Sequence, residues 1–541
     1  MSAVQASAPA GRPAPQRPFD LARLCADAPD PAAPALVEGN LALTYRELEQ
    51  RCEQVADALA AAGVGAGDRV AYLGQPAAPF LTLLLGAAKL GAVAIAVNWR
   101  LSAREATAVV QDSTARVLVL AGEWARPGAG EPELTAGRRV IRSDGLGPEP
   151  GWADWLATAP RRPAVTAPSA VTAPPAVTAP PASDAALHIY TSGTTGRPKG
   201  VLLSGDALAR TMQDAIVRWR LHPRSVTLAV LPLFHIAGLG SVLGALYAGG
   251  QVVVEPEPSA ERIVADIERY QVTQAVLAPT LLTQILDQAA ATGADLASME
   301  LISYGAAPIT PAALQRALRL APCPLLQVYG LTETTGFVCV LDAEVHDQDG
   351  LRSGVLASCG RPIDDLEFAV VDAVTGVPVA PGATGEIWVR SPRVMLGYWR
   401  APAETAAAVT ADGWFRTGDL ARQDASGYVY LVDRLKDMIV SGGENVYPGE
   451  VEAVLIEHPG VRAVAVVAAP HERWGETPVA MVVLEPGADV GEDELLAFCR
   501  ARLAHYKFPT AVHRRADLPR NPSGKILRRV LRQSMREPGS C

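Results

Sequence analysis

Apolar residues recur along this chain in two alternating rhythms. After Leu43-Thr44-Tyr45, the residues Leu48, Val55, Leu59 and Ala62 share one face of a helical period, and Gly63 and Gly65 end it. The run 69–73 that follows is short and apolar, the texture of a buried strand. The alternation returns down to about residue 350, as where a helical pattern over 263–270 precedes the apolar run 275–277. Helices alternating with short apolar strands predict layered α/β sheets. Further on, 366–372, 385–390 and 427–432 are short strand patterns parted by Gly, Pro and Asp turns, which predicts a small β-rich subdomain. From Asp433-Arg434-Leu435-Lys436-Asp437 onward the pattern is mixed α+β, and the main domain boundary is expected there.

Two apolar stretches have the length of a membrane span but not its continuity. Residues 77–97 contain Pro79, Gly86, Lys89 and Gly91, and residues 225–254 contain Pro232, His235 and Gly249-Gly250. A spanning helix needs about 20 unbroken apolar residues, so both stretches are expected to be strands, turns and helices buried in an α/β core. The first 20 residues are rich in Ala and Pro and lack the continuous apolar segment of a secretory signal, so 1–20 are expected to be disordered. Residues 163–181 read PAVTAPSAVTAPPAVTAPP; prolines this dense neither pair in a sheet nor continue a helix, and 163–183 are expected to form an extended linker insertion.

With 541 residues, 49% of them apolar, the chain is too long for one ordinary core, and two or more domains are expected. Lys and Arg number 48 against 57 Asp and Glu, a net charge of -9 with no basic run, so nucleic acid is not an expected partner. The seven cysteines are scattered without a CxxC pair and the eight histidines show no HExxH or HxH spacing. Neither a disulfide framework nor a protein-built metal cage is expected, and the thiols read as reduced and mostly buried. The expected setting is cytoplasmic.

One local pattern carries chemistry. Tyr190-Thr191-Ser192-Gly193-Thr194-Thr195-Gly196-Arg197-Pro198-Lys199-Gly200 lies between the apolar segments 187–190 and 201–203. Small hydroxyl residues among glycines let backbone N–H and side-chain O–H groups surround a polyphosphate, and Lys199 adds a positive charge. The spacing is not that of the Walker loop; taken alone, a Gly/Thr turn between two strands is the other reading.

Four more segments follow in order: Tyr329-Gly330-Leu331-Thr332-Glu333-Thr334; Gly413-Trp414-Phe415-Arg416-Thr417-Gly418-Asp419-Leu420; residues 433–452, DRLKDMIVSGGENVYPGEVE; and Asn521-Pro522-Ser523-Gly524-Lys525-Ile526. With these five motifs, over nearly its whole length, the chain resembles the adenylate-forming (AMP-binding) superfamily, in its acyl-CoA synthetase branch of fatty-acid and aryl-acid ligases. The resemblance implies a large N-terminal α/β domain over 21–433, including the β-rich subdomain, and a small mobile α+β domain over 434–541. It also implies ATP, Mg2+ and CoA as cofactor and co-substrates, with a small-molecule carboxylic acid activated as acyl-AMP before transfer to a thiol.

Site roles follow from the same resemblance. Thr191, Ser192, Gly193, Thr194, Thr195, Gly196 and Lys199 would cradle the phosphates. Lys525 would bridge the substrate carboxylate and the α-phosphate as a point charge. Glu333 would hold Mg2+, a hard cation that takes carboxylate and phosphate oxygens, and Thr332 would hydrogen-bond the α-phosphate. Tyr329 would stack on adenine, beside Gly330 and the backbone of Gly305-Ala306-Ala307. Asp419 would accept both ribose hydroxyls, with Arg434 reaching ribose or phosphate. Lys436 occupies the hinge position. Ser441, Gly442 and Gly443 would wall the pantetheine tunnel, Trp474 would act in the thioester-forming state, and Arg100 would meet the CoA nucleotide.

Pro232-Leu233-Phe234-His235-Ile236-Ala237-Gly238 resembles the segment beside the acyl carboxylate, where His235 would be a movable gate. Amino-acid-activating relatives place an aspartate after the Phe, which argues against an α-amino acid here. The pocket residues Ile236, Ala237, Gly238, Gly336 and Phe337 are small or apolar and favour an apolar or aromatic monocarboxylate, with a dicarboxylate left open. Acceptors other than CoA stay open too: a separate acyl carrier protein, or another nucleophile, including nitrite-dependent diazotisation. So do a homodimer and, from another class, a nucleotide-binding protein without catalysis.

Overall fold

The computed structural model describes residues 18–126, 132–143, 151–162, 184–191, 198–307, 309–441, 444–471, 474–520 and 526–535. The insertion 163–183, most of the N-terminal 1–20, and the candidates Ser192, Gly193, Thr194, Thr195, Gly196, Gly442, Gly443 and Lys525 lie outside the described residues. The chain gathers into two compact units, Met1–Ser353 with Ser391–Val409, and Gly354–Arg390 with Thr410–Cys541.

In the first unit the helical period after Leu43 becomes the helix Tyr45–Ala61, which starts where it does because Thr44 and Glu47 cap each other reciprocally. Its apolar face, including Leu48, Val55 and Leu59, is buried. Residues 69–73 form the strand Arg69–Leu73, flanked by Val93–Val97 and Val117–Leu120, with Arg139–Arg142 beyond, all parallel. A larger sheet runs in the order Gly336–Leu341, Leu325–Leu331, Leu301–Gly305, Gln274–Leu277, Val226–Ala229, Gln251–Val254, Pro34–Glu38, Leu41–Thr44. Its inner pairs are parallel and its two outer pairs antiparallel. Both apolar stretches resolve into shorter elements: 77–97 holds the helix Ala78–Ala88 and the strand Val93–Val97, while 225–254 is strand, helix Ile236–Ala248 and strand. Among the described residues no helix is long and apolar enough to cross a membrane.

The second unit begins as the β-rich subdomain that the turn-parted patterns predict. Glu367–Val371, Thr384–Arg390, Phe415–Gln423 and Val429–Arg434 form one antiparallel sheet in that order. The long hairpin Val461–His471 and Gly475–Leu484 follows, with Ala511–Arg514 parallel to its second strand. Alternation buries both faces of this hairpin. Val464, Val466, Ala480 and Val482 pack in a cluster with Val451 and Leu495, whereas Ala465, Val467, Val479 and Met481 pack with Leu531 of the helix Arg528–Ser534. The layered α/β fold with a β-rich subdomain and an α+β C-terminal segment is thus the fold observed.

Candidate active site

In the first unit the segments on either side of 192–197 are paired strands. Ala185–Thr191 and Lys199–Ser204 pair antiparallel, with Thr191 opposite Lys199 at the open end. A third strand, Gly397–Tyr398, pairs with Lys199–Ser204 on its other edge, and its flanks are pinned as Leu396 N donates to Leu202 O (2.8 Å) and Trp399 N to Gly200 O (2.7 Å). Lys199 Nζ lies 4.9 Å from the centre of the Tyr398 ring.

Tyr329, Gly330, Thr332 and Glu333 occupy the end of Leu325–Leu331 and the 3-10 turn Thr332–Thr334. Gly330 is obligatory: a Cβ there would sit 1.5 Å from Gly336 O on the facing strand. The Thr334 hydroxyl closes the turn, accepting from Leu331 N (3.1 Å) and donating to Leu331 O (3.0 Å). The segment before Tyr398 clamps it from outside. Met395 N donates to Glu333 O (2.8 Å), and Thr335 Oγ1 donates to Arg393 O (2.7 Å). Arg393 is itself buried and ion-paired with Asp214 at 2.9 Å. The Tyr398 hydroxyl donates to Glu333 Oε1 (3.0 Å). Gly305 pairs with Val328, which sets Gly305-Ala306-Ala307 beside Tyr329, and Ala306 takes the left-handed φ of 63°. Thr191, Lys199, Gly305, Tyr329, Thr332 and Glu333 therefore belong to two strand systems that meet at one tyrosine.

His235 is the N-cap of Ile236–Ala248. That helix starts against the preceding loop so closely that a Cβ on Gly238 would lie 2.5 Å from Pro232 O. Phe234 packs on the imidazole (centroids 4.6 Å apart), and Nε2 is buried with no hydrogen-bond partner among the described residues. Burial pushes the His235 pKa down to about 4, and the positive charge of Arg100 acts in the same direction. The imidazole is thus neutral at pH 7. Arg100 lies over the Trp99 ring at 4.6 Å. Ile236 and Ala237 are half-buried; Phe337 is core, its ring 5.3 Å from Trp219, and Gly336 has a φ of 111°.

In the second unit Asp419 and Arg434 are cross-strand partners on Phe415–Gln423 and Val429–Arg434, and their side chains form an ion pair. Asp419 is buried. One carboxylate beside this strand is absent from the motifs. Glu386, only 3% exposed, accepts from Gly418 N (3.0 Å) and from Trp388 Nε1 (2.7 Å). Its signal was present as a lone Glu inside the apolar strand pattern 385–390, where a charge needs partners. Lys436 sits in the turn Leu435–Asp437, where Arg532 donates to its carbonyl (3.4 Å) and to Asp437 Oδ1 (2.5 Å). Asp433 accepts from Gly449 N (2.7 Å), and burial holds its carboxyl above the usual range. Ser441 is buried in Ile439–Ser441, and Trp474, 38% exposed, stacks on His471 with ring centroids 4.2 Å apart. Arg520 and Ile526, on either side of 521–525, pair as an antiparallel bridge.

Among the described residues no three His, Cys, Asp or Glu side chains gather as a metal cage. A single carboxylate such as Glu333 fits Mg2+ that arrives with phosphate oxygens and keeps its waters.

The family model described as AMP-binding enzyme matches residues 25–399, and that for the AMP-binding enzyme C-terminal domain matches 450–525. A feruloyl-CoA synthase of Amycolatopsis sp is 39% identical over 507 residues, 93% of this chain and 96% of the relative. A fatty acid–[acyl-carrier-protein] ligase of Streptomyces coeruleorubidus is 37% identical over 511 residues, 93% of each. Among solved structures, ATP-bound MatB from Rhodopseudomonas palustris superposes with a TM-score of 0.83 at 31% identity, covering 95% of this chain and 98% of its own.

Proposed function

The chain belongs to the AMP-binding enzymes, and from that premise we propose that it activates an apolar or aromatic carboxylic acid with ATP and transfers the acyl group to the thiol of CoA. It is an AMP-forming acid–thiol ligase that uses ATP, Mg2+ and CoA. In the first half-reaction a carboxylate oxygen attacks the α-phosphorus, the acyl–oxygen–phosphorus link forms, and pyrophosphate leaves. In the second the thiol attacks the acyl carbonyl and AMP departs with the bonding pair of the acyl–oxygen bond.

The observation that best supports this reading is the meeting of the Lys199 hairpin and the Thr332–Glu333 turn at Tyr398. Lys199 and the loop before it neutralise the phosphates, and Thr332 donates to the α-phosphate. Glu333 would hold Mg2+, which supplies charge neutralisation on the phosphates. Tyr329 offers adenine an aromatic face. Asp419, oriented by Arg434, accepts from the ribose hydroxyls. Lys525 carries the positive charge between carboxylate and α-phosphate, and Lys436 is the hinge about which 434–541 moves between half-reactions. The neutral His235, its Nε2 buried and without a partner among the described residues, is the gate at the acyl pocket, with Ile236, Ala237 and Gly238 beside it. Ser441 and Trp474 serve the thiol's approach, Arg100 the CoA nucleotide, and the setting is cytoplasmic.

The carrier-protein ligase among the relatives favours a second reading of the acceptor, a separate acyl carrier protein in place of CoA. One experiment separates the two. The protein is incubated with ATP, Mg2+ and pooled fatty, aryl and short dicarboxylic acids, with and without CoA, and pyrophosphate and product masses are read together. A CoA-dependent thioester supports the primary reading; pyrophosphate without a thioester supports another acceptor; silence in both channels refutes adenylation of these acid classes.

A further inference from the structure

We propose that Tyr398 is a positioning residue that holds Lys199 and Glu333 apart and keeps each available to a magnesium-bound nucleotide; this rests on the nucleotide site proposed above. The tyrosine touches both groups, as its ring faces the Lys199 ammonium at 4.9 Å while its hydroxyl donates to Glu333 Oε1 at 3.0 Å. An ammonium near a carboxylate tends to close into an ion pair. Here Lys199 meets the aromatic face instead, a weaker cation–π contact that leaves its N–H donors free to turn toward phosphate oxygens. The phenol, for its part, is an uncharged donor that fixes one carboxylate oxygen by a hydrogen bond. It limits the rotamers of Glu333 without cancelling its charge, so the negative charge stays available for a cation.

The backbone of the tyrosine is pinned on both edges. It pairs with Val201, two residues beyond Lys199, and its own N–H donates to Thr405 Oγ1 (2.9 Å). The Met395 N to Glu333 O bond ties the same segment to the turn it acts on. Its neighbour Gly397 has a φ of 146° and would bring a Cβ within 3.0 Å of Thr405 Cγ2, so the strand lies tight against Thr405. A ring on a backbone pinned this way, with its hydroxyl tied to Glu333, acts as a spacer.

The test is binding of α,β-methylene-ATP by isothermal titration calorimetry across a Mg2+ titration, with AMP in EDTA as the metal-free comparison. Tyr398→Phe keeps the ring against Lys199 and removes only the hydroxyl. It is expected to raise the Mg2+ concentration for half-maximal nucleotide affinity about tenfold, the scale of one hydrogen bond to a charged group, with AMP affinity within about twofold of wild type. Tyr398→Leu removes the spacer too, and is expected to weaken Mg2+-dependent binding further and to make it salt-sensitive as Lys199 and Glu333 pair. An unchanged Mg2+ dependence in Tyr398→Phe overturns the proposal, as does an equal loss at every Mg2+ concentration and for AMP, which is what a purely structural role gives. If Tyr398→Leu does not fold, Tyr398→Phe alone decides. Wild-type protein that binds no nucleotide overturns the site itself, an outcome distinct from wild-type binding with an unaltered variant.

Discussion

Glu386→Gln isolates how the fold holds Asp419, the aspartate proposed to accept from the ribose. Glu386 is buried and accepts two hydrogen bonds, from Gly418 N and Trp388 Nε1. Glutamine keeps the volume but presents one acceptor and one donor group to two donors, so one N–H is left unpaired at a cost of about 1–3 kcal/mol. If the amide turns its oxygen to Trp388, Gly418 loses its partner. That residue sits at a φ of 70° between Thr417, whose hydroxyl accepts from Asp419 N at 3.1 Å, and Asp419 itself. A loosened Gly418 therefore loosens the carboxylate. The assay is hydrogen–deuterium exchange read on the peptide 415–423, beside initial-rate kinetics in ATP. Exchange at Gly418 is expected to accelerate about 5- to 150-fold, the same free energy expressed as a local opening equilibrium. KM for ATP is expected to rise with kcat little changed, because ribose contacts bind ground and transition states alike. Wild-type exchange at this amide together with an unchanged KM would refute the reasoning.

Other perturbations bear on separate parts of the argument. Gly330→Ala puts a Cβ 1.5 Å from Gly336 O, so the strand pair must separate; pyrophosphate release should fall at least about tenfold with a loss of about 2 kcal/mol or more in stability, and a wild-type rate refutes the close approach. His188 is buried and His235 half-buried with its Nε2 shielded, and burial pushes their pKa values down to about 3 and about 4, so both are held neutral. The unfolded chain takes up protons at about pH 6.5 that the folded chain refuses, so stability is full above that pH and lost as pH falls through the window from about 6.5 to about 3. His188→Leu should flatten that loss in urea midpoints measured against pH, and an unaltered slope tells against a neutral buried His188. Lys525→Ala should abolish pyrophosphate release while leaving thioester formation from supplied acyl-adenylate largely intact; equal loss of both steps contradicts the role given to this lysine.

The amino-acid pattern by itself determined the elements and the chemistry on offer. Local period and capping set the helix Tyr45–Ala61 and the strand after it, and the breaks at Gly91, Pro232 and Gly249-Gly250 divided two apolar stretches into strands and helices. The short patterns after residue 350 became one antiparallel sheet, and the ordered motifs marked family and reaction, since residues close in sequence bear on one phosphate or one turn. Tertiary structure decided who stands beside whom. Tyr398 reaches Lys199 and Glu333 because a two-residue strand pairs with Lys199–Ser204, and Glu386 supports Asp419 because Thr384–Arg390 is the neighbour of Phe415–Gln423. No period or motif marks such pairs, for a tyrosine or a glutamate in a strand reads the same whether its partner is water or a turn of another strand. Hydrogen-bond partners across a sheet are set by which strands the whole core brings into register, a property of all the packed elements at once and of no local segment.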